Sequence, residues 1–230
     1  MSKSIFSTLP TGDFVLASAS ATRAKLLEDA GLGFCQYPVS VDEVAVRAAG
    51  IAESIPAQDI VVILAEMKAA VAVQRLDTEH LDPPAYVLGC DQILVCDDII
   101  YSKPKNIAAA KSQLLALSGK THQLLTAAVL FQHGKRIWHH LSMADMTMHQ
   151  FDDKFIDLYL DQLGETAFFS PASYQIESIG VQLFSQIQGC YFGILGIPML
   201  ELMAILRAHG LFPFDKKSQI KSEGIFGYNS

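Results

Sequence analysis

The sequence predicts an α/β fold with mixed strand directions, and three observations lead to it. Short apolar runs that read as strands alternate with segments whose apolar residues recur at helical spacing. Two long strand-like runs, Thr121–Gln132 and Arg136–Met148, are joined only by His133-Gly134-Lys135, which reads as an antiparallel hairpin. No stretch rich in Pro, Gly and Ser divides the 230 residues, and 50% of them are hydrophobic. One domain over 1–230, with two lobes and a well-buried core, is therefore expected.

The elements follow in order. Phe14–Ser18 reads as a strand of four apolar residues closed by a serine. Ser18, Ser20 and Thr22 lead into a helix over Ala21–Ala30, with Leu26, Leu27 and Ala30 on its apolar side. Phe34–Val39 is a second strand, running into a polar loop with Asp42-Glu43. Ala57–Arg75 carries Ala, Leu, Met and Val at helical spacing. Tyr86-Val87-Leu88-Gly89-Cys90 is a buried strand ending at Asp91. Ile93–Val95 and Ile99–Tyr101 flank an Asp97-Asp98 turn as a short hairpin. Ile107–Leu117 is a helix closed by Ser118-Gly119. The long hairpin is followed by a helix over Phe155–Gln162 and a strand over Gly180–Gln186. A last helix over Pro198–His209 has Pro198 near its first turn and Gly210 just past its end. The core thus spans about 13–210, and 211–230 reads as a lysine-bearing tail.

Composition excludes several classes. With only 18% charged residues the chain is not a disordered one. The formal net charge of -7 gives no general field for nucleic acid, and no basic stripe or stacking platform stands out. A phosphate ligand must be met by a local basic pocket. The start, MSKSIFSTLPTGD, lacks the apolar stretch of a leader, and no apolar run reaches about 20 residues, so a cytoplasmic protein without a membrane span is expected. Cys35, Cys90, Cys96 and Cys190 are scattered without a C-x-x-C pair and read as reduced thiols. His139-His140, adjacent on a strand, would point to opposite faces and makes a poor metal pair.

Two segments could carry chemistry. A strand that turns through Ser18 and Ser20 into a helix leaves free N–H groups at the helix start. Hydroxyls and Arg23 beside them suit a phosphate. Read locally, the same residues fit an ordinary N-cap equally well. Asp91 at a strand end could bind a divalent cation or take a proton from water, or be a turn aspartate. Twelve residues on, Lys103-Pro104 follows the short hairpin, which brings the lysine back toward Asp91 on restricted backbone.

These segments also carry a resemblance. Ala17-Ser18-Ala19-Ser20, Arg23 and Leu26-Leu27 resemble the A-S-x-S-P-R-R-x-x-L-L signature of the Maf family of nucleoside triphosphate pyrophosphatases. Ala21 stands for the proline and Thr22 for the first arginine, while Arg23 keeps the second. Val41-Asp42-Glu43, Leu64-Ala65-Glu66-Met67-Lys68-Ala69, Gly89-Cys90-Asp91, Lys103-Pro104 and Ser118-Gly119-Lys120-Thr121-His122 resemble further family motifs, in family order. Gly189-Cys190-Tyr191 and Leu195-Gly196-Ile197-Pro198 do the same near the C-terminus, so the resemblance covers about 14–209.

The resemblance implies an elongated, twisted mixed sheet flanked by helices, two lobes and a central cleft, similar to inosine triphosphate pyrophosphatase. It implies hydrolysis of a nucleoside triphosphate to the monophosphate and pyrophosphate, helped by a divalent cation such as Mg, Mn or Co, and it allows a homodimer. Ser18 and Arg23 would hold the triphosphate, and Lys68 and Lys103 would add positive charge. Glu43 and Asp91 would be the metal-linked carboxylates, with Asp91 as general base. Glu177 stands where many members carry glutamine, and Asp91-Gln92 where many carry D-T. With the lost arginine, these resemble the branch that prefers 7-methyl-GTP over dTTP and UTP. A carboxylate suits the donors and positive ring of a methylated guanine; alternatively Glu177 is a surface turn residue. A nucleotide-binding regulator of septum formation with little catalysis is the alternative from outside the enzymes.

Overall fold

The computed structural model describes residues 12–78 and 84–211. The start read for a leader and the tail from 212 onward lie outside the described residues. In chain order the elements are β1 (Phe14–Leu16), α1 (Ala21–Asp29), β2 (Cys35–Gln36), α2 (Glu43–Ala52), α3 (Ala57–Thr78), β3 (Tyr86–Cys96) and β4 (Ile99–Tyr101). There follow α4 (Ile107–Leu117), β5 (Thr121–Gln132), β6 (Lys135–Met148), α5 (Asp153–Leu163), β7 (Phe184–Gln188), α6 (Tyr191–Ile194) and α7 (Met199–Ala208). The seven strands make one mixed sheet in the order β2-β1-β3-β5-β6-β7, with β4 paired to β3 beside that path. No described helix is long and apolar enough to cross a membrane.

Apolar alternation along the long strands explains the layers. Val87, Ile93, Leu125, Ala127 and Val129 face α3, where Ile60, Leu64, Ala65, Ala69 and Ala72 recur at helical spacing. Leu88, Cys90, Ala128 and Leu130 face the other way, onto Leu27 of α1 and Leu202 and Leu206 of α7. Further along the same strands, Leu94, Leu124 and Met146 meet Leu114 and Leu117 of α4 and Ile156 and Leu160 of α5. Two lobes therefore share one sheet, and the cleft lies where their coverings part.

The edge of β3 shows how. One edge is paired to β5 without a break from Tyr86↔Gln132 to Val95↔Gln123. The other edge has two short partners: β1 runs parallel beside Tyr86–Leu88, and β4 antiparallel beside Leu94–Cys96. Between them, Gly89–Ile93 meets no strand among the described residues. Gly89 also lets α3 lie flush on the sheet: a Cβ there would stand 2.1 Å from the Ala65 carbonyl oxygen and 2.8 Å from the Ala69 nitrogen. That close approach brings Lys68 over Asp91.

Four sequence expectations are corrected. The strand does not end at Asp91 or restart at Ile93; it runs through both, because β5 supplies the ladder along its whole length. Asp42-Glu43 is not loop but the start of α2: the Asp42 Oδ1 accepts from the Ala45 N–H at 3.0 Å as an N-cap. The Phe34–Val39 strand shrinks to Cys35–Gln36, since β1 offers only Val15 and Leu16 for pairing. The strand expected over Gly180–Gln186 is a 3₁₀ turn at Ile179–Leu183 followed by β7, which begins where the end of β6 becomes available.

One buried group gives the fold a pH dependence. His122 is 1% exposed; its Nε2 shares a 2.9 Å hydrogen bond with the Tyr174 hydroxyl, and its Nδ1 has no partner. Burial pushes its pKa down to about 4. The unfolded chain takes up this proton near pH 6.5, whereas the fold resists until about 4. Stability should therefore fall as pH drops from 6.5 to 4, by up to ~1.4 kcal/mol per pH unit from this residue. Urea unfolding of wild type and His122→Gln across that range checks it; parallel pH curves would refute it.

Candidate functional site

A cavity of about 860 Å³ opens over the gap in the edge of β3. Its floor is Asp91 and Gln92. The β1–α1 turn, Ser18 to Arg23, makes one wall, and Ser102, Lys103 and Lys105 after β4 make the opposite one. Glu43 and Arg47 of α2 join Lys68 of α3 at a third side. Phe168, Phe169, Tyr174 and Glu177 complete the lining. The cavity brings together all eight residues singled out in the sequence: Ser18, Arg23, Glu43, Lys68, Asp91, Gln92, Lys103 and Glu177.

Charge in the site is arranged around one ammonium. Lys68 Nζ donates to Asp91 Oδ1 at 2.5 Å and stands 2.7 Å from Glu43 Oε1. Arg47, four residues along α2, donates from Nη2 to Glu43 Oε2 at 2.7 Å and from Nη1 to Ser102 Oγ at 3.1 Å. Burial pushes the Glu43 carboxyl up, but the Lys68 hydrogen bond and charge, with the charges of Arg47 and Lys103, outweigh it. The carboxyl is held below its ordinary value. Asp91 is 3% exposed, and its Oδ2 is buried without a partner. An unsatisfied buried carboxylate oxygen is costly, and beside a cavity it is an acceptor waiting for a ligand.

Arg23 is placed differently from a free phosphate-binding arginine. It is buried, its Nε donates to Gly196 O at 3.0 Å, and its Nη1 donates to Cys90 O at 2.9 Å and Ser18 Oγ at 3.2 Å. Gly196, at φ +107°, permits the approach: a Cβ there would stand 2.9 Å from Arg23 Nε. Arg23 therefore clasps the open edge of β3 to α1 and to the segment before α7. Arg23→Ala should cost roughly 2–3 kcal/mol by leaving buried acceptors unpaired. Urea unfolding checks this, and a change within about 0.5 kcal/mol, as at an ordinary surface site, would contradict it.

Ser18 and Ser20 both work locally. Ser20 Oγ accepts from the Arg23 N–H at 3.3 Å as the N-cap of α1, and Ser18 Oγ accepts from the Ser20 N–H at 3.2 Å. Gln92 donates from Nε2 to Thr126 Oγ1 at 2.8 Å and to Ile194 O at 3.0 Å, which ties the floor to α6. Lys103 and Glu177 are both exposed in the cavity lining. The hairpin does return Lys103 toward Asp91, since Leu94↔Tyr101 pairing continues in that direction. Sequence reasoning missed Arg47, Lys105, Ser102 and Phe169. A Glu43–Arg47 pair at i, i+4 was the available signal for α2 and for Arg47.

The same donor set suits a divalent cation, though not as a closed protein cage. Among the described residues no group of three or more His, Cys, Asp or Glu forms such a cage. Two carboxylates meet at one lysine, however, and one of their oxygens is buried and unpartnered. That set fits a small hard cation whose shell is completed by water and substrate phosphates.

Comparison with known proteins gives a concordant result. The profile of a family described as Maf-like protein matches residues 13–209. The chain is 44% identical over 196 residues to a nucleoside triphosphate pyrophosphatase of Paramagnetospirillum magneticum, covering 85% of this chain and 98% of the relative. It is 44% identical over 197 residues to a 7-methyl-GTP pyrophosphatase of Brucella abortus, covering 86% of this chain and 96% of the relative. A nucleoside triphosphate pyrophosphatase of Ruegeria pomeroyi is 39% identical over 201 residues, covering 87% of this chain and 98% of the relative.

Proposed function

We propose, because this chain belongs to the Maf family, that it is a nucleoside triphosphate pyrophosphatase. The reaction is hydrolysis at the α-phosphorus: water adds, the bond to the bridging oxygen between the α- and β-phosphates breaks, and nucleoside monophosphate and pyrophosphate leave. The observation that carries the reading is the buried, unpartnered Oδ2 of Asp91 on the floor of a cavity edged by Lys68, Lys103 and Lys105.

The residues divide the work. Asp91 Oδ2 accepts the proton of the attacking water. Lys103 and Lys105, on long side chains at the rim, meet the β- and γ-phosphates as point charges. Lys68 holds Asp91 and Glu43 in register. Arg23 and the Ser18–Ser20 turn fix the wall against which the triphosphate lies. Glu43 and Asp91 would hold a divalent cation, Mg, Mn or Co. When bound, it neutralises charge developing on the leaving pyrophosphate.

The finer reading is that the base is 7-methylguanine. Glu177 in the cavity lining, the Asp91-Gln92 pair and the name of the Brucella relative support it. Such an activity acts on the free nucleotide pool of the cytoplasm and removes non-standard nucleotides. The test is a panel of nucleoside triphosphates, methylated guanine included, with pyrophosphate release measured under Mg, Mn and Co. Release from 7-methyl-GTP above all others is the expected result. Preference for dTTP and UTP would retain the pyrophosphatase and reject the base. No release across the panel would reject the enzyme in favour of a nucleotide-binding regulator.

A further inference from the structure

We propose that Arg47 is a positioning residue that makes Glu43 present a single oxygen to the cation, and so biases the site toward Mg over Ca. The inference rests on the reading of Glu43 as a cation ligand, and goes beyond it to a residue that neither the motifs nor the family resemblance singled out. Arg47 is partly buried, with a side chain 13% exposed, and forks between two elements. One arm takes Glu43 Oε2 and the other takes Ser102 Oγ, next to Lys103.

The consequence is geometric. With Oε2 held by the guanidinium, Oε1, which Lys68 Nζ meets at 2.7 Å, is the oxygen left for the cation. Mg binds at short distances in near-octahedral geometry and is well served by single carboxylate oxygens with waters and phosphates around them. Ca takes more ligands and readily accepts both oxygens of one carboxylate. A guanidinium clamped on Oε2 therefore disfavours the larger ion. A lysine cannot replace it, because one ammonium lacks the planar fork that spans Glu43 and Ser102. The clamp also matters for α2 itself. Among its residues only Gly50 is fully buried, against Ile60, and Val46 packs on the α3 core, so the Arg47 contacts add to a thin apolar anchor at the end that carries Glu43.

The test is calorimetric titration of MgCl₂ and, separately, CaCl₂ into protein saturated with an α,β-methylene nucleoside triphosphate, which cannot be cleaved. Arg47→Lys and Arg47→Ala should each weaken Mg binding about 10-fold, as loss of a partner to a metal ligand does, while Ca binding changes far less. The Mg-to-Ca ratio is the decisive readout, since a loss of packing would weaken both ions together. A thermal melt of each variant shows whether the fold is retained, and Arg47→Lys keeps the net charge. If both variants keep the wild-type ratio, the proposal is overturned. Glu43→Gln separates the underlying reading: unchanged binding of both ions in that variant would remove Glu43 as a ligand, and the role of Arg47 with it, while leaving pyrophosphate release in the substrate panel as an independent question.

Discussion

Asp91→Asn is expected to lower kcat by about 10²-fold or more while the protein stays folded. The amide keeps the volume of the carboxylate but cannot take a proton from water. The buried Oδ2 has no protein partner to lose, and Lys68 still has Glu43 at 2.7 Å, so the floor of the cavity keeps its shape. Binding of an uncleavable nucleotide should survive better than turnover, because the basic rim is untouched. Steady-state pyrophosphate release together with a thermal melt checks both halves. A variant turning over near the wild-type rate would take Asp91 out of the mechanism.

Glu177→Gln should lower kcat/KM for 7-methyl-GTP by about 10- to 100-fold relative to UTP, the effect of losing roughly 1.5–3 kcal/mol of charge-assisted hydrogen bonding. On the 7-methylguanine reading, the carboxylate would accept from two guanine donors and face a ring with fixed positive charge. UTP offers one ring donor and no charge. Glu177 lines the same cavity as Lys103, beside Tyr174 and Ile176, and is exposed there. Equal losses on both substrates would mean that Glu177 acts on phosphate, cation or folding. No loss on either would make it a surface turn residue.

Much of this architecture is legible in the amino-acid sequence. The long hairpin of β5 and β6, α1, α4 and α7 follow from periodicity and from glycines at their ends, and those signals are local. What escapes is what depends on a distant partner. Asp91 looks like a strand terminator because it is charged; it stays in β3 because β5 pairs past it and Lys68 lies over it. Arg23 reads from the sequence as a cation for phosphate, since nothing near it announces Gly196 or Cys90 as its acceptors. Ile179–Leu183 has the apolar content of a strand but finds no edge to pair with. The α2 helix escapes for another reason: its outer face, with Val44 and Ile51 exposed, lacks the polar residues that mark a surface helix.

The continuous seam between β3 and β5 has a mechanical meaning. Both walls of the cavity hang from one rod: the Ser18–Arg23 turn follows the strand beside its first half, and Lys103 follows the strand beside its second. A jaw whose two sides share an axle opens only if the axle twists or bends. This axle is riveted to its neighbour through ten successive residue pairs, from Tyr86 to Val95. The gape at the floor is thus a fixed gauge, machined when the sheet forms, and any give in the mouth is left to the parts joined to it by side chains and not by strand pairing, α2 and the segment bearing Phe169 and Glu177.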